Sequence, residues 1–171
     1  MKKQSLLQLE DLAQKNCAEL NELFAAADTP RLADFEGIAK GRFLAGKGLM
    51  RSKHLRNLIT HPKLWPWKGK AFTKSKSKQG INRLGLGPVE KTAMPFQVKI
   101  ESKKGQQKLC IFNYNIKGNH WPVTLCRDRV KKLHDGLFLG TFDIRWRKNY
   151  HSILYFGMSL QKLNTKTTTR S

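Results

Sequence analysis

The segment Asn113–Arg129 (NYNIKGNHWPVTLCRDR) brings Tyr114, His120, Trp121 and Arg127 into one short span. A phenol, an imidazole, an indole and a guanidinium offer hydrogen bonds, a proton acceptor near neutral pH and a flat apolar surface. Such groups bind ligands when a rigid scaffold carries their loop. With Trp67 and Arg83 they form the candidate ligand-binding set: an apolar interior for the ligand body and a cationic rim for an acidic or fatty head. Asn82 accompanies Arg83 at the expected mouth.

A second set competes with it. Trp65, Lys68, Lys70, Arg145, Trp146, Arg147 and Lys148 interleave indoles with cations. That pattern suits a nucleic-acid-binding β-domain, where bases stack on aromatics and phosphates meet lysine and arginine. No RNP, KH or zinc-finger signature accompanies it.

Catalytic signatures are absent. The chain has no P-loop, no G-x-S-x-G, no H-E-x-x-H and no paired-cysteine zinc motif. Gly85 and Gly87 are followed by Pro88 and no helical pattern, so they do not open a dinucleotide site. The five histidines, His54, His61, His120, His134 and His151, are scattered among basic residues that disfavour a cation. Asp128, between Arg127 and Arg129, reads as an ion pair that positions its loop. Cys17, Cys110 and Cys126 form no C-x-x-C and read as small buried hydrophobes. A binding protein without metal or cofactor is therefore expected, rather than an enzyme.

Charge is the extreme feature. The 171 residues hold 33 Lys and Arg against 12 Asp and Glu, a formal net charge of +21. The first 30 residues carry three basic and five acidic side chains, whereas residues 51–100 carry twelve basic ones and only Glu90 against them. The positive field thus belongs to the body. It would attract nucleic acid, an anionic membrane surface or an acidic ligand, or simply keep the protein in solution. Hydrophobic residues at 39% exclude a disordered chain, and no apolar run is long enough to span a bilayer. The N-terminus lacks the apolar core of a secretory signal, and the cysteine usage suits a cytoplasmic setting.

The elements that must position these residues are mostly strands. Ser5–Ala27 has apolar residues at three-to-four spacing, predicting one amphipathic helix that packs on the body or plugs one end, with Ser5 and Gln8 as a capping box. Strands are expected over 34–45, 67–73, 82–86, 96–102, 109–115, 137–147 and 152–161, with a short helix over 53–59. The span around Arg127 reads as a helical or extended turn. Pro66 starts the strand that carries Trp67 and Phe72, with the neighbouring lysines facing water. The expected organisation is a helix over 1–30, one small antiparallel calycin- or lipocalin-like barrel or coiled sheet over 31–163, and a disordered tail over 164–171.

The order of motifs resembles a known family. Phe35-Glu-Gly with Gly41-Arg42, a basic connection, then Trp67-Lys-Gly-Lys-Ala-Phe72 is similar to the GXWXG-type domain. Ile111-Phe-Asn-Tyr114, Trp121-Pro-Val123, Arg127-Asp128, Leu139-Gly140 and Leu154-Tyr-Phe156 resemble the domain of unknown function that usually follows it. Ile38 or Ala39 stands where the first tryptophan is expected, and Asn115 where an acidic residue is usual. The resemblance implies a calycin-like barrel with a ligand cavity and no established reaction.

Overall fold

A computed structural model describes residues 6–47, 66–74, 78–86, 88–102, 104–105 and 107–160. Eight antiparallel strands follow one another around a closed barrel: β1 (Gly37–Gly46), β2 (Trp67–Phe72), β3 (Gln79–Leu86), β4 (Val89–Glu101), β5 (Leu109–Asn113), β6 (Cys126–His134), β7 (Leu137–Trp146) and β8 (Asn149–Leu160). β8 pairs with β1, so no edge is left open. The expected mainly β barrel is what the chain forms. One strand, β6, occupies the span expected to be a turn. The anticipated helix over 53–59 and the tail from 164 lie outside the described residues.

Alternation of side chains builds two cores. The inner one contains Phe72, Phe96, Val98, Phe112, Phe138, Phe156 and Met158. Phe35 enters one end of the barrel behind a 3-10 turn, Leu32–Asp34, and meets Phe72, Phe112 and Phe138 at centroid distances of 5.2, 5.1 and 5.1 Å. Phe96 stacks on Phe112 at 4.8 Å. This phenylalanine packing closes the lower half of the barrel.

The outer core lies under two helices rather than the single one expected. α1 (Leu9–Leu12) is capped by Gln8 and Asp11, and α2 (Cys17–Ala26) by Asn16 and Glu19. The second cap interrupts the helical repeat, because Asn16 satisfies the free amides of Ala18 and Glu19. Leu9, Leu12 and Leu20 pack on Leu44, Leu137, Leu139 and Tyr155 of the barrel wall. A Cβ on Gly157 would come within 2.5 Å of Leu9, so glycine lets α1 settle on β8. The helices thus cover a side of the barrel, and Phe35 plugs its end.

Successive antiparallel strands place the β3–β4, β5–β6 and β7–β8 connections at the opposite end, together with the end of β1 and the start of β2. That end is the mouth. Among the described residues, no helix is long and apolar enough to cross a membrane.

Candidate functional site

Above the phenylalanine packing the barrel holds a cavity of about 480 Å³. Its walls are apolar, with Phe43, Leu84, Met94, Phe142, Ile153 and Leu154 among the lining residues. A polar cluster interrupts them, with Lys70 at its centre.

Local geometry brings the cluster together. In a regular strand Trp67 and Lys70, three residues apart, would face opposite sides. A register shift between Trp67 and Gly69 turns both inward. Gly69 has φ +132, and a Cβ there would lie 2.1 Å from the Ala39 carbonyl oxygen, so the bulge requires glycine. Gly41 leaves room for the Trp67 ring, which a Cβ would approach to 2.5 Å. On β4, Met94 adopts φ 53 beside a second register shift, and its carbonyl accepts from Asn82 Nδ2 at 3.1 Å.

The hydrogen bonds account for nearly every polar atom. Lys70 Nζ donates to Asn82 Oδ1 at 2.8 Å, Tyr114 Oη at 2.6 Å and Asp128 Oδ2 at 2.9 Å. Its three protons are thereby used. Tyr114 Oη donates to Asp128 Oδ2 at 2.9 Å and accepts from Asn82 Nδ2 at 3.1 Å. Trp67 Nε1 donates to Asn82 Oδ1 at 2.9 Å. Among the described residues both donors to Asp128 meet Oδ2, and none reaches Oδ1.

Burial sets the electrostatics. The Lys70 and Asp128 side chains are each 2% exposed. Desolvation pushes the Lys70 ammonium below the ordinary lysine range, against the pull of Asp128. Desolvation likewise raises the Asp128 carboxyl, against the attraction of Lys70. Each partner thus stabilises the charge that burial opposes. Five rings add to this, with Lys70 Nζ 4.6 Å from the Phe96 centroid and 5.3–5.6 Å from those of Tyr114, Trp67, Phe112 and Phe156. Tyr114 is held well above the usual phenol range, first by burial and then by Asp128, and stays neutral. Cys126, also in the wall, is pushed up to about 11 by burial and then by Asp128, so it is a thiol rather than a nucleophile.

The sequence-derived sites divide sharply. Trp67 and Tyr114 meet in the cavity. Arg83 does not: it lies on the outer face, where Nη2 reaches both Glu90 oxygens at 2.7 and 2.9 Å. Arg127 is also outside, 3.4 Å from Asp143 and with its guanidinium 3.7 Å from the Tyr150 ring centre. His120 and Trp121 are exposed on the β5–β6 connection. No cation from the expected rim set lines the cavity. Lys70, expected on a basic surface, is instead buried in the barrel, because the Gly69 bulge reverses its direction. Lys68 and Arg145 are half-buried, Trp146, Arg147 and Lys148 are exposed at the β7–β8 turn, and Trp65 lies outside the described residues. Asp128 is not paired with its neighbours Arg127 and Arg129, since alternation along β6 sends it inward and them outward.

Asn82, named only as a mouth residue, bridges the cluster, and Met94 was not singled out at all. The available signal was parity: Cys126, Asp128 and Val130 alternate, which places one carboxylate on an apolar face. Among the described residues, no group of three or more His, Cys, Asp or Glu could hold a metal ion.

No family model and no curated protein matches the chain. Its fold is similar to a crystal structure of a protein from Thermomonospora curvata, with a TM-score of 0.59 and 15% identity over 86% of this chain and 89% of that one. At that identity the likeness shows the barrel alone.

Proposed function

We propose that the barrel binds a small ligand with an apolar body and a single hydrogen-bond-donating head, an alcohol, phenol or amine. The observation that carries this reading is an apolar cavity whose buried polar cluster is internally satisfied except at Asp128 Oδ1. A volume of about 480 Å³ falls within the range of small-molecule sites. Lys70 has no proton to spare for a carboxylate, whereas Asp128 has an oxygen to offer. This favours a donor head over the acidic head suggested by composition. Saturation of Lys70, Tyr114 and Asn82 also supports recognition rather than proton transfer. The likeness to the GXWXG-type domain rests partly on the Trp67–Phe72 strand and is compatible with this proposal.

The test is calorimetric titration with decanol, decylamine and decanoate, which share one chain and differ in the head. Saturable binding of the alcohol or amine, at least about tenfold tighter than the acid, is expected from one unmatched buried polar contact. Leu84→Trp, which fills the cavity, should abolish it. Absence of saturable binding by all three would overturn the cavity reading, while preference for decanoate would overturn only the head-group assignment.

A further inference from the structure

Among the described residues, four of the seven exposed large hydrophobic side chains gather at the mouth of the barrel, whereas Leu6, Leu32 and Ile38 lie elsewhere. Leu86, Val89, Trp121 and Trp146 are 60%, 62%, 79% and 69% exposed. Leu86 ends β3, Val89 begins β4, Trp146 ends β7 and Trp121 lies between β5 and β6, so all four border or occupy connections that strand direction brings to one end. Single exposed apolar residues are ordinary, but several large ones on neighbouring loop tips mark an interaction surface. The described residues of these connections contain no carboxylate, and they contribute Lys117, Arg147 and Lys148, all exposed. Glu90, next to Val89, is engaged by Arg83. The acidic side chains Asp28, Asp34, Glu36, Glu101 and Asp135 belong instead to the plugged end.

We infer that the mouth docks on an anionic lipid bilayer, with Trp121, Trp146, Leu86 and Val89 entering the interface and Lys117, Arg147 and Lys148 meeting lipid headgroups. Indoles settle at the headgroup level of a bilayer, and each cation near an anionic surface adds attraction. A single-stranded nucleic acid would use the indoles and cations but would gain no stacking from Leu86 and Val89. Exposed apolar side chains bordering three connections suit insertion, and Pro66 and Val123 of the cavity lining lie at the same end. The docking does not depend on what the cavity holds.

Co-sedimentation with vesicles of phosphatidylcholine, alone or mixed with phosphatidylserine, tests the inference. Binding should require phosphatidylserine and be accompanied by quenching of tryptophan fluorescence by brominated lipid. Trp121→Ala with Trp146→Ala should weaken it by about tenfold or more while leaving far-UV circular dichroism unchanged, because both side chains are exposed. Arg147→Gln with Lys148→Gln should cost roughly tenfold, and the same charge removed at Lys104 and Lys108, on the plugged end, much less. Equal losses from both charge pairs would show undirected attraction and overturn the inference. So would failure to bind either vesicle, including the case in which the Trp121/Trp146 pair is needed for binding polyuridine RNA instead.

Discussion

Two aspartates on adjacent, paired strands are both almost fully buried, yet they lie on opposite sides of the barrel wall. Asp128 of β6 points inward to Lys70 and Tyr114, whereas Asp143 of β7 points outward to Arg127, Arg129 and Thr141. The inner lysine is 2% exposed, but the outer arginine side chains are 22% and 27% exposed. Water and salt therefore screen the outer cluster more than the inner one. The same ion-pair chemistry gives a desolvated cluster in the cavity wall on one face and a partly solvated surface cluster on the other.

The largest effect expected from breaking this contrast is at Lys70. Lys70→Met should destabilise the fold by about 3–5 kcal/mol, because Asp128 is left buried without its counter-charge. Urea unfolding measures it, and the double variant Lys70→Met, Asp128→Leu should recover most of the loss. If the double variant is no better than the single one, the cost belongs to packing around the lysine stem. Tyr114→Phe should cost about 1–3 kcal/mol by removing an acceptor from both Lys70 and Asn82.

The outer cluster should yield less. Arg129→Ala removes the shorter of the two arginine contacts to Asp143, 2.7 Å, at an expected cost of about 1–2 kcal/mol. The cost should shrink as salt is raised, while that of Lys70→Met stays nearly constant. Equal salt sensitivity would remove the distinction between the two faces. At the small end, Glu90→Gln should change stability by no more than about 1 kcal/mol, since the Arg83 pair is partly exposed.

A third aspartate sharpens the comparison through pH. Burial would raise Asp34, but the Arg31 backbone amide and guanidinium, with Lys132, hold it below the usual carboxylate range. A lowered folded value stabilises the protein above the ordinary carboxylate pKa, and that contribution is lost as pH falls through the folded value. Asp34→Asn should therefore flatten the acid limb of the stability–pH curve. An unchanged limb would assign the acid sensitivity elsewhere.

Much of this architecture was already legible in the chain. Alternation around Phe96, Val98 and Ile100, and the punctuated strands that follow, point to an antiparallel barrel or coiled sheet, because period-two burial requires a sheet with one face covered, whereas closure rests on the β8–β1 pairing. Trp67 and Tyr114 were recognisable as interior candidates because a large aromatic in an alternating strand has one face to bury. What local sequence could not show was direction across an irregularity. The Gly69 bulge turns Lys70 inward, and only the proximity of the Ala39 carbonyl shows why that residue must be glycine. Likewise, Arg127 and Arg129 flank Asp128 in sequence but face away from it, while its partner Lys70 lies far along the chain on β2. A charge run on paper becomes a buried pair or a solvated coat only when strand register and closure decide which side of the wall each side chain occupies.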